Sequence, residues 1–193
     1  MPSDLSSASY SIVAAIITHS ELTLTDVDID DVQGDKEVIF LLQRMGARIK
    51  IDPLEKTIQV LKGPKLQGVD VDVNEFIDAL PLLAVVGCFA EGTTKLIGGA
   101  IARKKESDRI SCIVAELKKM GAHITEQKDG VTVKSSDLKG AFLESHADHR
   151  MAMSLAVASL GAEGGSIIEG SECVVKSYAR FFEQLKGLGA HIE

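Results

Sequence analysis

The sequence predicts an α/β (α+β) fold in which three copies of one unit surround buried central helices. The first observation is a repeated string that combines a helix end, a glycine and a strand start, found at residues 41–49, 117–124 and 185–192. Glycine suits a helix end because it readily adopts the positive φ that often occurs there. The second observation is a small residue that follows an apolar run and precedes a predicted strand. It recurs at equal intervals along the chain, at Ser20, Gly92 and Gly164. Together they predict compact repeats around one core.

Each copy holds two helices of different character. The earlier helix is apolar on nearly all sides, which predicts burial all round, and it occurs at Tyr10–Ile17, Phe76–Ala90 and Met151–Leu160. The later helix is amphipathic, and in the middle copy its apolar face carries Ile110, Ile113, Val114, Leu117 and Met120.

Short alternating segments lie between these helices and predict strands. The order in one copy is therefore strand, buried helix, strand, amphipathic helix and two strands. We place the copies within a single domain, residues 1–193, at about residues 1–63, 64–136 and 137–193. The first copy has no opening strand and the third is incomplete, so we expect the chain to be part of something larger.

Composition and charge argue against several classes of protein. Hydrophobic residues make up 45% and charged residues 25%, which indicates a packed core. The net charge of -7 argues against binding to nucleic acid or to an anionic membrane. No apolar run is long enough to span a membrane, and the N-terminus does not read as a signal peptide. The 3 cysteines, odd in number and far apart, favour free thiols, so we expect a cytoplasmic protein.

Charged side chains cluster where helices are predicted to begin. Helix N-termini carry unpaired N–H groups and the positive end of the dipole, so a face formed by several of them suits an anion. Lysine or arginine at a helix start is unfavourable for the helix, and an anionic ligand is one reason for its presence. The basic residues in such positions are Lys105, Arg109, Arg150 and Lys176.

Simpler interpretations of the same residues stay open. An acidic or amide side chain before a helix is often just an N-cap, which applies to Asp4, Asn74 and Asp108. His149 could be a capping or core histidine, and Arg103 with Lys104 is interpreted as a solvated basic edge.

Neither a metal nor a cofactor is predicted. His146 and His149 have the spacing of a ligand pair, but no further ligand with suitable spacing follows. The glycine pairs Gly98-Gly99 and Gly164-Gly165 lack the lysine and hydroxyl residue of a P-loop, so they are interpreted as turns.

Two longer strings are far more specific. Residues 103–110, RKKESDRI, strongly resemble the R-x-K-E-S/T-D-R signature of the 5-enolpyruvylshikimate-3-phosphate synthase (3-phosphoshikimate 1-carboxyvinyltransferase) family. Residues 148–153, DHRMAM, are similar to a second signature of that family. Shorter matches occur in family order at residues 4–10, 33–35, 77–81 and 173–177.

The resemblance implies an enolpyruvate-transferase-like, inside-out barrel domain of three βαβαββ repeats whose helix N-termini face a cleft. The family is a two-domain enzyme more than twice as long as this chain, and the chain resembles its C-terminal portion. We therefore expect the missing N-terminal half to be a partner, Met1 to be an introduced start, and the whole to be a monomer.

The resemblance also implies a reaction. The family transfers the enolpyruvyl group of phosphoenolpyruvate to the 5-hydroxyl of shikimate 3-phosphate and releases phosphate, on the route to chorismate and the aromatic amino acids. It uses no cofactor, and glyphosate inhibits it by occupying the phosphoenolpyruvate site. We expect the isolated chain to be nearly inactive because the shikimate 3-phosphate pocket lies in the other half.

Matching the motifs position by position assigns roles. Asp78 would serve the 5-hydroxyl, and Glu106 would shuttle the proton at carbon 3, with Lys105 beside it as a cation and proton-transfer partner. Arginine suits an anion because its planar fork pairs two oxygens. The expected phosphoenolpyruvate ligands are Lys105, Arg109, Arg150 and Lys176, with His149 and Asp4 as second-rank candidates.

Two other interpretations remain. One is a domain of the related UDP-N-acetylglucosamine enolpyruvyl transferase, which the two signatures disfavour. The other is a non-catalytic module that binds small anions or a partner domain. One departure from the family is the apolar stretch at residues 99–102, where many members carry a polar residue, so no contact is assigned there.

Overall fold

The computed structural model describes residues 5–29 and 36–193. Its helices are α1 (Leu5–Ile17), α2 (Lys36–Arg44), α3 (Leu80–Phe89), α4 (Arg109–Lys119), α5 (His149–Leu160), α6 (Val175–Tyr178) and α7 (Phe181–Gly187). Its strands are β1 (Leu22–Leu24), β2 (Arg48–Asp52), β3 (Thr57–Leu61), β4 (Asp70–Asp72), β5 (Thr93–Ile97), β6 (His123–Gln127), β7 (Gly130–Lys134), β8 (Phe142–Glu144) and β9 (Ile167–Glu169). Short 3-10 helices occur at Asn74–Ala79, Ala100–Lys104 and Ser171–Val174.

The middle copy is complete and has the predicted βαβαββ order, β4-α3-β5-α4-β6-β7. Its sheet has the order β4-β5-β7-β6, with β4 parallel to β5 and the other pairs antiparallel. Within residues 5–29 and 36–63 the first copy forms the sheet β1-β3-β2 and shows no opening strand, and the third copy pairs β8 with β9 in parallel. The prediction of three related units is confirmed, and our boundaries between the copies stay a prediction.

The central helices α1, α3 and α5 pack on one another, as their apolar sequences predict. In α3 every residue from Leu80 to Cys88 is buried. Gly87 lets this helix approach the sheet, because a Cβ there would lie 3.0 Å from the Cβ of Val133. The sheets lie outside, so the helices rather than the strands form the centre of the core. Among the described residues no helix combines the length and apolar character that crossing a bilayer requires.

The middle buried helix begins later than predicted. It starts at Leu80 and not at Phe76, which lies in the preceding 3-10 segment with φ -134° and ψ 47°. Proline has no N–H to donate to the fourth carbonyl before it, and its ring clashes with that carbonyl. Pro81 therefore fits the first turn of α3 but prevents one continuous α-helix from Phe76.

The last amphipathic helix is divided in two. The sequence predicts that it opens at Lys176 and Ser177, but these residues belong to the separate short helix α6. α7 follows, and the ring of its Phe181 packs edge-on against that of Tyr10 with centroids 6.0 Å apart. This contact ties the third copy to α1.

Candidate active site

Three cations from different elements converge on the carboxylate of Asp78. Lys105 Nζ lies 3.0 Å and Arg109 Nη1 2.8 Å from Asp78 Oδ1, and Arg150 Nη2 lies 4.0 Å from Oδ2. Asp78 belongs to the 3-10 segment before α3, whereas Arg109 and Arg150 lie in the first turns of α4 and α5. The structure thus brings together residues from two neighbouring copies, which the sequence separates by up to one repeat length.

A second carboxylate, that of Asp148, also binds the Arg109 guanidinium. Asp148 is fully buried and accepts hydrogen bonds from Arg109 Nε at 2.7 Å and Nη2 at 3.2 Å. It also accepts from Ser107 Oγ and caps α5 by accepting from the backbone N–H of Arg150. An aspartate in this position satisfies an N–H group that a helix start leaves free. One carboxylate therefore fixes both the start of α5 and the orientation of the Arg109 guanidinium.

Both aspartates are held in the ionised form. Burial raises the pKa of Asp148, but the hydrogen bonds and charge of Arg109 outweigh burial and hold that pKa below its usual value. Partial burial likewise raises the pKa of Asp78, and the Lys105 hydrogen bond with the charges of Arg109, Lys105 and Arg150 brings it below its usual value. At neutral pH, Asp78 is therefore a carboxylate that can accept a hydrogen bond from a hydroxyl group.

Glu106 and His149 form a pair at the edge of this cluster. His149 Nδ1 lies 3.0 Å from Glu106 Oε2, and the glutamate is the more exposed of the two. Their contact joins the loop before α4 to the first turn of α5. A carboxyl and an imidazole at hydrogen-bond distance can pass a proton to a neighbouring group.

Glu106, Asp148 and His149 also have ligand atoms within 4.8 Å of one another, as a metal site requires. The carboxylate of Asp148 is already bonded on both oxygens by the Arg109 guanidinium. A fixed positive charge at this distance repels a second cation. We therefore assign these residues to charge pairing and not to a metal.

Lys176 forms no ion pair with the described residues of the cluster. Lys176 is exposed on α6, which packs against α5, and within residues 5–29 and 36–193 it has no ion-pair partner. Lys176 lies at the same end of the domain as the start of α5, because α6 and the 3-10 segment before it both pack against α5. Asp4 and the motif at residues 33–35 lie outside the described residues.

The charged cluster and a cavity of the domain lie at different ends of the central helices. A cavity of about 500 Å³ exists, but it is lined by residues such as Ile17, Phe89 and Gly161, which lie at or just beyond the C-terminal ends of the central helices. The charged cluster lies at the opposite, N-terminal ends of α3 and α5. This face presents fixed cations and helix N-termini, which suit an anion with carboxylate or phosphate groups.

Comparison with known proteins agrees with the two signatures. The model of the family EPSP synthase (3-phosphoshikimate 1-carboxyvinyltransferase) matches residues 1–185. The chain belongs to the EPSP synthase family. A 3-phosphoshikimate 1-carboxyvinyltransferase of Ruminiclostridium cellulolyticum is 45% identical over 193 residues, which is 100% of this chain and 45% of the relative. One of Methanocaldococcus jannaschii is 44% identical over 98% of this chain and 44% of its own length.

Solved structures carry the same fold. An EPSP synthase structure from Acinetobacter baumannii superposes with a TM-score of 0.89 at 34% identity, covering 100% of this chain and 47% of the other. The enolpyruvyl transferase NikO from Streptomyces tendae, at 22% identity and a TM-score of 0.80, shares the fold. The chain spans less than half the length of these relatives, as the resemblance to a C-terminal portion implies.

The interpretation of Arg103, the first residue of the EPSP synthase signature, as a solvated edge was wrong. Its Nη1 bonds to Asp108 Oδ2 at 2.9 Å, its Nη2 to Glu126 Oε1 at 2.8 Å, and its Nε to the backbone oxygen of Lys128 at 2.9 Å. These bonds close the loop that carries Lys105 and tie it to the hairpin β6–β7. No sequence signal indicated Glu126, because its proximity depends on the register of that hairpin.

We expect Arg103→Lys to lower the free energy of unfolding by about 1–2 kcal/mol, because an ammonium cannot reproduce the fork of hydrogen bonds. Urea unfolding followed by circular dichroism would measure it. Lys104→Ala is the matched control, since Lys104 is exposed and has no ion-pair partner in the described part of the chain. Equal stability of the two variants would contradict the anchoring role.

Proposed function

We propose that this chain is the phosphoenolpyruvate-side, C-terminal domain of an enzyme that transfers the enolpyruvyl group of phosphoenolpyruvate to the 5-hydroxyl of shikimate 3-phosphate. The observation that carries the proposal is the convergence of Lys105, Arg109 and Arg150 on the ionised Asp78, at the N-termini of the central helices. Membership of the EPSP synthase family supports it. Location in the cytoplasm stays a prediction from the sequence.

The cations bind the substrate anion in this proposal. The guanidinium groups of Arg109 and Arg150 and the ammonium groups of Lys105 and Lys176 hold the carboxylate and phosphate of phosphoenolpyruvate. Among the described residues Arg109 uses three of its N–H groups, two on Asp148 and one on Asp78. Its two remaining N–H groups can bond to the substrate without releasing either aspartate. Fixed cations around a site of changing charge supply electrostatic stabilisation of the transition state.

Two carboxyl groups divide the proton transfers. In the addition step, the oxygen of the 5-hydroxyl bonds to carbon 2 of phosphoenolpyruvate, its proton passes to Asp78, and Glu106 delivers a proton to carbon 3. In the elimination step, the bond from carbon 2 to the phosphate oxygen breaks, carbon 3 returns a proton to Glu106, and the phosphate leaves with the proton held by Asp78. His149, 3.0 Å from Glu106, orients that carboxyl group.

The remaining parts of the reaction lie outside this chain. The pocket for shikimate 3-phosphate belongs to the N-terminal half, which we propose as the partner that closes over the cation face. The assembled enzyme is a monomer without a cofactor, it supplies the pathway to chorismate and the aromatic amino acids, and glyphosate contacts the same cations as phosphoenolpyruvate.

The first test uses this chain alone. Titration of the labelled protein with phosphoenolpyruvate, followed by NMR, is expected to shift the signals of Arg109, Arg150 and Lys176. Equal concentrations of inorganic sulfate serve as the control for a general anion effect. Shifts spread evenly over the surface lysines, with none at these three residues, would count against the site.

The second test supplies the missing half. The N-terminal half of the Ruminiclostridium cellulolyticum relative, added in trans or fused ahead of residue 1, is expected to give phosphate release that depends on both substrates. This chain by itself should give negligible release. Robust turnover by the chain alone would contradict the proposal, and specific binding without turnover in the complemented protein would favour a non-catalytic anion-binding module.

A further inference from the structure

Helix α4 carries two buried charged residues that face the same neighbour. Arg109 is 3% exposed and Glu116 is 1% exposed. They lie two helical turns apart, so their side chains share one face of α4. Both reach the loop that joins β8 to α5: Glu116 bonds to Glu144, the last residue of β8, and Arg109 bonds to Asp148, the residue before α5. The loop is therefore attached to α4 at both of its ends.

Glu116 makes the contacts at the far end of that loop. Its Oε2 accepts the backbone N–H of Glu144 at 2.9 Å, and its Oε1 lies 2.9 Å from His146 Nε2. Both oxygens also accept from Lys119 Nζ, at 2.8 Å, within α4 itself. Burying a carboxylate lowers stability unless it is paired with a cation and hydrogen-bonded. The described partners of the Glu116 carboxylate are Lys119 and two residues near the loop, Glu144 and His146.

The loop between the two anchors has an unfavourable backbone. His146 and Ala147 both have a φ of 54°, in the left-handed region that residues other than glycine rarely adopt. Such a conformation persists where the surroundings determine it. The next residue is Asp148, whose carboxylate holds the guanidinium of Arg109.

We propose that Glu116 is a positioning residue for the candidate active site. Its bonds to Glu144 and His146 hold the loop in the conformation in which His146 and Ala147 have a positive φ. That conformation places the carboxylate of Asp148 within hydrogen-bond distance of the Arg109 guanidinium. Arg109 is thereby held with one N–H on Asp78 and two on Asp148. The inference rests on the proposed function, since that function makes the orientation of Arg109 matter.

The first measurement needs no ligand, so it can fail independently of the proposed function. In Glu116→Gln, the NMR signal of the Arg109 Nε–H group should move, and its hydrogen exchange should become at least tenfold faster, because Asp148 is no longer held in place. Lys119→Met is the matched control: it removes the Glu116 contact within α4 and leaves the loop contacts intact. An unchanged Arg109 signal in a folded Glu116→Gln protein would overturn the proposal, whatever happened to stability.

The second measurement uses phosphoenolpyruvate as the probe. Glu116→Gln should weaken its binding by about tenfold, the factor associated with one displaced charge-assisted hydrogen bond, whereas Lys119→Met should not. Adding Ala147→Gly should restore part of the affinity, because glycine adopts a positive φ without strain. A structural role alone would lower stability without this rescue. If Glu116→Gln does not fold, His146→Asn removes one loop contact, and it must move the Arg109 Nε–H signal and speed its hydrogen exchange relative to the wild type; an unchanged signal would overturn the proposal.

Discussion

Replacing Arg109 by methionine is expected to destabilise the folded chain by about 3–5 kcal/mol. The side chain is 3% exposed, and its guanidinium is the cation that compensates the fully buried Asp148. Methionine is also a long unbranched side chain, but it has no charge and leaves that carboxylate buried without an opposite charge. Chemical unfolding in urea, followed by circular dichroism, measures the loss directly.

Two further variants separate the charge effect from packing. Asp148→Asn removes the buried charge, so combining it with Arg109→Met should cost less than the sum of the single changes. Lys118→Met, on the exposed face of the same helix, should change stability by less than about 0.5 kcal/mol. A loss below about 1 kcal/mol for Arg109→Met would show that Asp148 has another source of compensation.

The pH dependence of this effect has a defined sign. In the wild-type chain the pKa values of Asp78 and Asp148 lie below their usual range, so the stability that they contribute is present above about pH 4 and is lost as the pH falls through the folded-state values. Arg109 is the largest influence that lowers the pKa of Asp148, so without it we expect burial to raise that pKa and the folded variant to take up a proton at a higher pH than the wild type does. The difference in the free energy of unfolding between the wild type and Arg109→Met should therefore become smaller as the pH falls from about 7 to about 4.5. Over the same range the free energy of unfolding of the wild type should stay constant or decrease.

The sequence predicted the parts of this molecule that depend on local pattern. Helices that are apolar all round must be buried wherever they pack, and the repeated glycine strings marked where the amphipathic helix of each unit ends, at Gly46, Gly121 and Gly189. The prediction for the start of α3 was wrong because Pro81 prevents the residues before it from continuing the α-helix. The division of the last helix into α6 and α7 has no comparable signal in the sequence.

The candidate site was predicted from its signatures, but the contacts that support it were not. The strings at residues 103–110 and 148–153 identify Lys105, Arg109 and Arg150 as one group. The bond from Arg103 to Glu126 and those from Glu116 to residues 144–146 join segments that are far apart along the chain. Their distances follow from strand register and helix packing, which no local pattern encodes.

The largest effect on catalysis is expected from Glu106→Gln in the chain complemented with the N-terminal half of a relative. If Glu106 moves the proton at carbon 3, the variant should lower kcat by about 10²–10⁴-fold, because a glutamine cannot donate or accept that proton. KM for phosphoenolpyruvate should change little, since the cations around Asp78 remain. Initial rates of phosphate release, with both substrates varied, measure the two parameters separately.

Asp78→Asn should produce a different pattern from Glu106→Gln. Asp78 Oδ1 lies 3.0 Å from Lys105 Nζ and 2.8 Å from Arg109 Nη1. The substitution therefore removes the proton acceptor and leaves these two cations without that carboxylate partner. We therefore expect kcat to fall while phosphoenolpyruvate binds as tightly or more tightly. Glu183→Gln, at an exposed carboxylate on α7 that pairs with Arg180, is the control and should keep full activity. If Glu106→Gln retained more than a tenth of the wild-type kcat, the proton at carbon 3 would have to be carried by another group, and Lys105 is the nearest alternative in the signature.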